Sequence, residues 1–404
     1  MDYNNKMQQQ QRNISLLWLA QIVSAAGDAI YQIALFWLVL DITGSSTITG
    51  LIAMAAFLPA MLFGLYAGVI ADKYNRKLIM IFSNFSQALT VIIIPILLYF
   101  GYNNMLLIGF FAFVRASFST FFPPALNALV PMITSKDRLV KVNSVLATSG
   151  QLAYLIGPLG AGLILSVVSI PYLFVIDSAS FIVAILILLF IILPPKTKLS
   201  DKQFSSVKEI FSGIQYAKQH KPLGMLFILT IINNFFIMGM AFVGMLILVK
   251  DALGGTASQY AFVESGLALG MLIGSVFVYR IGNRINIGKL LLIGMILDGV
   301  TYSLLYFAGS VNFVMIFIVI HAFGIPMITI SRTAIIQKHS PNEYHGRLFS
   351  LVHLSVVGVT ALASAVVGIA ANYIDIKIIF LFIGIGAALC GVVGFMNKKL
   401  REIV

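Results

Sequence analysis

The stretch GVIADKYNRKLIM, residues Gly68 to Met80, joins two long apolar segments through a short charged turn. Residues 46–71 before it are almost uncharged, and a second apolar run begins at residue 78. The charged residues of the turn are Asp72, Lys73, Arg76 and Lys77. A helix that crosses a bilayer needs about 20 apolar residues, and basic residues concentrate in the turns on one side of the membrane. The stretch therefore predicts a helical hairpin in lipid.

The composition of the whole chain supports this interpretation. Of its 404 residues, 60% are hydrophobic and 10% are charged, whereas a soluble domain carries roughly 25% charged residues. The formal net charge of +12 would suggest a nucleic-acid partner for a soluble protein. Here the bases lie between apolar runs, which indicates membrane topology, so no nucleic-acid partner is expected. Cys390 is the only cysteine, which excludes an intramolecular disulfide.

Twelve apolar runs are long enough to cross a bilayer as helices. They are residues 14–40, 46–71, 78–100, 104–131, 142–168, 171–193, 222–249, 257–281, 288–308, 311–331, 348–373 and 376–397. The first run is too long for a signal-peptide core and has no convincing cleavage site, so we interpret it as a retained span. Within the longest polar interval, the segment FSSVKEIFSGIQYAK has helical spacing and is expected to lie on the membrane surface.

The predicted fold is therefore all-α, with twelve transmembrane helices in two pseudo-symmetric six-helix bundles. The expected organisation is a cytoplasmic tail 1–13, an N-terminal bundle 14–193, a cytoplasmic linker 194–221, a C-terminal bundle 222–397 and a cytoplasmic tail 398–404. The halves also resemble each other, because ALVPMITSKDRLVKVNSV (128–145) aligns with AIIQKHSPNEYHGRLFSL (334–351) at an offset of 206. Repeated halves are typical of transporters whose substrate site lies between them near mid-membrane.

The distribution of bases predicts the orientation. If both termini are cytoplasmic, 23 bases face inward and two, Lys250 and Lys377, face outward, while Arg115 lies inside a span. Cytoplasmic loops carry the excess of Lys and Arg in membrane proteins. We therefore expect a multi-pass protein of the cell membrane with both termini in the cytoplasm.

The charged turn resembles the loop between the second and third helices of the major facilitator superfamily. The residues that match its pattern are Gly68, Asp72, Arg76 and Lys77. Lys73 replaces an arginine and Asn75 replaces a glycine. Because asparagine tolerates a left-handed backbone better than most residues, we expect the turn to keep its shape.

Further motifs resemble the drug:proton antiporters of that superfamily. GPLGAG resembles an antiporter motif through Gly157, Pro158 and Gly162, with Ala161 in place of a glycine, and Arg115 resembles the buried arginine of these antiporters. FPPALNALVPMI, GMLIG and EYHGRLFSL are similar to the macrolide-efflux branch. The resemblance covers nearly the whole chain and implies the major facilitator fold. The glycine and proline suit a helix that bends or slides against a neighbour, or simply one that packs closely.

Asp72 is expected near the negative end of a helix, where a carboxylate is disfavoured and needs a cationic or amide partner. Arg76 is close in sequence, and the resemblance implies that the eleventh helix begins nearby, around Arg347. We therefore predict a conformational latch at a cytoplasmic gate. The alternative is that the bases Lys73, Arg76 and Lys77 only anchor the topology.

A charge in mid-bilayer costs about 2.5–3.5 kcal/mol, so each one needs a reason. Asp28 lies close to the midpoint of the first span. It shares a polar stripe with Gln21, Ser24, Tyr31 and Gln32. Such a stripe faces a cavity or another helix. The resemblance implies that spans one and four line the central cavity, so Asp28 and Arg115 are predicted to be within reach of each other; a structural hydrogen-bond seam is the alternative.

Four further polar groups lie inside predicted spans. Glu264 occupies a glycine-rich face, where it serves coupling or substrate binding, or else bonds neighbouring helices. His321 can take up a proton near neutral pH, or it is a satisfied structural histidine. Asp177 and Asp298 fall in spans six and nine, which the resemblance places at the periphery, so structural bonding is expected for both.

The predicted function is proton-coupled efflux of amphipathic or hydrophobic compounds, of the macrolide or multidrug type, by alternating access. No phosphate-binding loop, metal-ligand cluster or nucleophile–base pair is present in the sequence, so we expect no enzyme, catalytic residue, metal site or cofactor, with the proton gradient as energy source. The expected partners are the substrate, protons and membrane lipid, and the protein is expected to be a monomer. The alternatives are a siderophore, lysophospholipid or nutrient as cargo, and a non-transporting receptor or scaffold.

Overall fold

The computed structural model describes residues 3–135, 138–193, 206–281 and 284–403, and these residues are helical apart from short turns. They form two compact units. Unit 1 comprises the described residues of Met1–Leu38 and Pro59–Phe204, and unit 2 those of Val39–Leu58 and Ser205–Val404. Among the described residues, eleven helical segments are long and apolar enough to cross a membrane. The chain is therefore an all-helical, multi-pass membrane protein.

The helices up to residue 193 follow the predicted apolar runs. They are α1 (Tyr3–Thr43), α2 (Ser46–Lys73), α3 (Arg76–Tyr99), α4 (Met105–Ser119), α5 (Phe122–Ile133), α6 (Leu139–Ile164) and α7 (Pro171–Leu189). The predicted span 104–131 is present as one membrane-length segment, Met105–Ile133, with a break between α4 and α5 where Pro123 and Pro124 lack the N–H groups that would continue α4.

The helices of the C-terminal part begin with the amphipathic linker helix. They are α8 (Ser206–Gln219), α9 (Lys221–Gly239), α10 (Met245–Ile247), α11 (Ala257–Ile281), α12 (Ile287–Leu304), α13 (Val311–His339), α14 (Asn342–His353), α15 (Val359–Ala370), α16 (Ile376–Met396) and α17 (Lys398–Arg401). Three π-helical segments, Met240–Gly244, Leu248–Ala252 and Leu354–Gly358, connect consecutive helices of this set. The helix expected within the linker is present as α8. The first twelve residues of the linker, 194–205, lie outside the described residues.

The predicted fifth span, 142–168, corresponds to α6, whose described apolar stretch is only Leu152–Ile164. The first half of α6 is polar in sequence, with Asn143, Thr148 and Gln151. Several side chains of this half lie outside the described residues, so a continuous apolar length is described for the other predicted spans but not for this one. Twelve spans in two six-helix bundles stays a prediction.

Side chains fix the end of α7 in unit 1. The Asn13 side chain donates to the Ile192 carbonyl at 2.7 Å and accepts from the Ile192 N–H at 3.1 Å. Lys77 Nζ donates to the carbonyls of Leu189 and Ile191, both at 2.8 Å. The last carbonyls of a helix lack partners within it, so a lysine at this end satisfies them and complements the helix dipole.

Small residues bring helices together in unit 2. At Gly299 of α12, a Cβ atom would lie 2.7 Å from Ala388 Cα, so α12 and α16 approach each other at backbone distance. Tyr216 of α8 stacks on Tyr344 of α14 with ring centroids 4.1 Å apart. The linker helix is thus packed on α14, and its predicted position on the membrane surface stays a prediction.

Candidate functional site

Three helices of unit 1 bring one arginine and two acids together. Arg115, on α4, donates from Nη2 to Oδ1 of Asp28 on α1. The same Nη2 lies 3.7 Å from Oδ2 of Asp177 on α7. We call Asp28, Arg115 and Asp177 the charged triad. The predicted proximity of Asp28 and Arg115 is present in the structure, and Asp177 is an addition to it.

A glycine allows the second acid to approach. A Cβ atom on Gly27 would lie 2.6 Å from Asp177 Oδ1 and would overlap the Ser180 hydroxyl, so only glycine lets α1 lie this close to α7. Ser180 Oγ donates to the Asp177 carbonyl at 2.7 Å. Gly27 directly precedes Asp28. The close contact of Gly27 with α7 therefore positions Asp177 and also holds Asp28 beside Arg115.

Aromatic rings enclose the guanidinium. Arg115 Cζ lies 3.9 Å from the centroid of the Tyr31 ring and 5.7 Å from that of Phe181. Tyr31 itself packs edge-on against Phe174 at 5.7 Å. A cation over an aromatic face is attracted by about 0.5–2 kcal/mol, more when it is desolvated. Tyr31, a member of the predicted polar stripe, therefore serves as one wall of the triad.

The three side chains of the triad differ in their exposure to solvent. The Asp177 side chain is 0% exposed and that of Arg115 is 11% exposed, whereas the Asp28 side chain is 42% exposed. With all three groups ionised, two carboxylates face one guanidinium and the cluster carries a net negative charge. Asp28 is therefore the accessible member of the triad.

The antiporter-like motif lies against the helix that carries Asp28. A Cβ atom on Gly157 of α6 would lie 2.7 Å from Ala29 Cβ and 2.8 Å from the Ala26 carbonyl oxygen. Pro158 follows within α6, and Gly162 lies one turn further on and is buried. Gly157 therefore sets the distance between α6 and the turn of α1 that contains Asp28.

The other stripe residues extend along α1. Gln21 and Gln32 are half-buried, and the Gln21 Oε1 atom has no hydrogen-bond partner among the described residues. The Ser24 hydroxyl donates to the Ala20 carbonyl at 3.0 Å. The buried amide oxygen of Gln21 is therefore unsatisfied among the described residues, whereas Ser24 is satisfied by its own helix.

The charged turn has a different backbone from the one expected. Asn75 has φ −66° and ψ 112°, and its side chain accepts from the Leu78 N–H at 3.3 Å. It is thus an extended N-cap of α3, not a left-handed residue, and the expectation of a left-handed backbone was wrong. Asparagine suits this position because its side-chain oxygen satisfies a free N–H of the first turn.

The predicted latch is only partly described. Gly68 lies within α2, Lys73 is exposed at its last turn and Lys77 binds the end of α7. Arg347 Cζ lies 5.1 Å from the Tyr344 ring centroid. The side chain of Asp72 lies outside the described residues, so the latch stays a prediction.

Unit 2 holds a second group of buried polar side chains. Asp298 Oδ1 on α12 lies 3.3 Å from His321 Nδ1 on α13. Glu264 on α11 is half-buried and is hydrogen-bonded by Tyr260, one turn before it. Glu264 and His321, both predicted candidates, thus lie in unit 2, while Asp28 and Arg115 lie in unit 1.

The sequence missed two partners. Asp177 was expected at the periphery, yet it faces Arg115, and Asp298 is the partner of His321. A signal was available for the second pair alone: a buried histidine that takes up a proton needs a counter-charge, and Asp298 lay unassigned in the same half. Among the described residues, no group of three or more His, Cys, Asp or Glu side chains is placed to hold a metal ion.

Comparison with known proteins agrees with this architecture. A family model described as transmembrane secretion effector matches residues 8–403. Macrolide efflux protein A of Streptococcus pyogenes is 27% identical over 83% of this chain and 83% of its own length. The multidrug efflux pump Tap of Mycolicibacterium fortuitum is 23% identical over 96% of both chains. In fold, the chain is similar to a bacterial homologue of the iron transporter ferroportin, solved in an inward-facing state (TM-score 0.76, 16% identity, covering 97% of this chain and 99% of that one).

Proposed function

The chain belongs to the transmembrane secretion effector family of major facilitator transporters, of the macrolide-efflux type, and we propose that it exports amphipathic or hydrophobic compounds in exchange for protons. The observation that carries the proposal is the charged triad of Asp28, Arg115 and Asp177. The names of the relatives, macrolide efflux and multidrug efflux, support the substrate class.

Charge balance supports proton coupling. The fully ionised triad carries one excess negative charge in a low-dielectric interior, where an uncompensated charge is costly. One bound proton makes the triad neutral. The triad therefore has two states that differ by one proton, and the neutral state suits a site that is closed to water.

The proton is exchanged at Asp28, since Asp177 is sealed and Asp28 is accessible. In the proposed cycle, a hydrated site opened to the cytoplasm releases the proton and accepts the substrate. A site opened to the outside releases the substrate and takes up a proton. Alternating access links the two exchanges, and each elementary charge moved across the membrane contributes about 2.3 kcal/mol per 100 mV.

Binding of amphipathic compounds needs polar and apolar groups together. Asp28 offers an accessible polar group, and Tyr154, which is exposed and lies within electrostatic reach of Asp28, offers aromatic surface. A ligand with a few polar groups on an apolar body matches such a surface.

Reconstitution in liposomes tests the proposal. Purified protein is placed in vesicles with an imposed pH gradient, and the movement of erythromycin and of ethidium is followed. We expect both gradient-driven accumulation in the acidic lumen and its collapse when a protonophore removes the gradient. Protein-free vesicles give the background.

Accumulation of the probes at the same level with and without the pH gradient would contradict proton coupling. If the pH gradient moved a siderophore or a lysophospholipid but neither erythromycin nor ethidium, the same triad would serve another cargo.

A further inference from the structure

We propose that Asp298 and His321 form a second proton-binding site, located in unit 2, that gains and loses one proton in each transport cycle. The inference deepens the proposed function and rests on it. Its structural basis is independent of the charged triad, because the two groups and all their described contacts lie in unit 2.

The pair is sealed from the surface of the molecule. Asp298 Oδ1 and His321 Nδ1 are 3.3 Å apart, and the two side chains are 4% and 2% exposed. The Tyr302 ring covers the imidazole with centroids 4.1 Å apart, and Phe380 of α16 packs on Tyr302 at 5.5 Å. An ionised carboxylate in such a place needs a counter-charge or a proton.

The hydrogen bonds locate the protons. The Thr301 hydroxyl has two carbonyl acceptors, Leu297 at 2.7 Å and Asp298 at 3.0 Å, so its oxygen and the ionised Asp298 carboxylate both favour a proton on His321 Nδ1. His321 therefore carries a proton on Nδ1, next to Asp298. An additional proton is held either on His321 Nε2, which gives an ion pair, or on Asp298, which gives a neutral pair.

This arrangement binds one proton for a simple reason of charge. With an ionised Asp298 and a neutral His321, the buried pair is negative. Either position of the additional proton makes it neutral. A second additional proton would make the pair positive, so the pair favours binding one proton.

The charged and titratable groups around the pair are few. From α11 come Glu264 and Tyr260, which are hydrogen-bonded to each other. From α9 the Asn233 amide faces Asp298, and α16 has Lys377 as its only charged residue, in the first turn. No described cation therefore stands beside Asp298 except His321.

Tyr302 provides the connection to the half-buried Glu264. The Tyr302 side chain lies within electrostatic reach of both Glu264 and Asp298, and its hydroxyl has no hydrogen-bond partner among the described residues. No hydrogen bond of this hydroxyl joins the two acids among the described residues, so a proton passes between Glu264 and Asp298 only when the Tyr302 side chain or a water molecule bridges them. Glu264 then acts as the entrance and the buried pair as the store.

Magnetic resonance tests the protonation directly. The full-length protein, labelled with ¹⁵N-histidine and ¹³C-carboxyl aspartate, is placed in lipid nanodiscs and titrated from about pH 5 to about pH 9. The chain has five histidines, and the His321→Gln variant identifies the resonance of His321. We expect the pair to lose one proton as the pH rises, seen at the imidazole of His321 or at the carboxyl of Asp298.

Variants sharpen the result. In Asp298→Asn, His321 has lost its counter-charge and should stay neutral throughout, while Asp375→Asn, which keeps a side-chain cap on α16, should titrate like the wild type. Tyr302→Phe keeps the ring and should slow the exchange of the proton. If Asp298→Asn does not fold, Asp298→Glu takes its place, and the pair of this carboxyl and His321 should still lose one proton as the pH rises. No protonation change at either Asp298 or His321 in the wild type would overturn the proposal.

Transport stoichiometry provides the second measurement. In liposomes, the number of protons moved per erythromycin should fall by one in Asp298→Asn. An unchanged ratio would mean that the pair is not part of the cycle and would also overturn the proposal. If the wild type shows no coupled transport at all, the proposed function fails, whereas the titration still decides whether the pair binds a proton.

Discussion

Arg115 is the counter-charge of two carboxylates whose side chains differ in solvent exposure. Asp28 is accessible and receives a direct hydrogen bond, whereas Asp177 is fully buried 3.7 Å away. In the proposed cycle, the accessible acid exchanges the proton, and the buried acid supplies the second negative charge that makes the proton necessary. Neither acid has this function alone.

Asp177→Asn tests the contribution of the buried acid. The variant leaves a neutral pair of Asp28 and Arg115, so the reason for binding a proton disappears. We expect gradient-driven export to fall by at least about tenfold, equivalent to about 1.4 kcal/mol, measured as erythromycin accumulation in liposomes. Asp375→Asn is the matched control. Export at the wild-type rate by Asp177→Asn would return this acid to the purely structural role expected from the sequence.

Lys77 and Lys73 are neighbours in the charged turn but differ in their contacts. Lys77 donates to two carbonyls at the end of α7, whereas Lys73 is exposed. We therefore expect Lys77→Met to lower the free energy of unfolding by about 1–2 kcal/mol, and Lys73→Met to leave it unchanged. Denaturant unfolding in detergent measures both, and equal effects would show that Lys77 is no more than a topological anchor.

At the scale of the element, the packing of α6 on α1 positions the triad. Gly157 touches the backbone of α1 at Ala26, whereas a Cβ atom on Gly160, three residues later, would meet nothing within 4 Å. Gly157→Ala must push the two helices apart by a few tenths of an ångström or more. Asp28 lies in the turn of α1 that would move.

This difference gives a matched pair of variants. Gly157→Ala should reduce gradient-driven export at least about tenfold, since misplacement of a reacting group by about 1 Å is costly. Gly160→Ala should transport like the wild type. Liposome assays on both variants, with correct folding checked by size-exclusion chromatography, decide the matter. Equal activities would mean that the close contact does not control the triad.

The elements were largely predictable from the sequence because length and apolarity alone define a spanning helix. The sequence analysis did not predict the break between α4 and α5, although Pro123 and Pro124 indicate it. The pairing of Asp177 with Arg115 could not be predicted, because it depends on Gly27 allowing a close approach of two helices that are distant in sequence. The period of a helix gives the face on which a residue lies but not the partner that the face meets.

At the scale of the whole molecule, the distribution of bases predicts both termini and the linker on the cytoplasmic side. In a Cys390→Ser background, which removes the only cysteine, a cysteine at Ser310 should react with an impermeant thiol reagent added to intact cells. A cysteine at Ser206 should react only after the membrane is opened. Labelling of position 206 from outside would reverse the topology.

In the proposed cycle, one proton of the charged triad is exchanged for substrate, and Asp28→Asn tests this exchange most directly. The variant mimics the neutral, protonated triad permanently, so substrate should still exchange across the membrane when present on both sides. An outward erythromycin gradient, however, should move protons only in the wild type, followed with a pH-sensitive dye inside the liposomes. We expect substrate exchange with no proton movement in Asp28→Asn. Substrate-driven proton movement at the wild-type rate in this variant would contradict it.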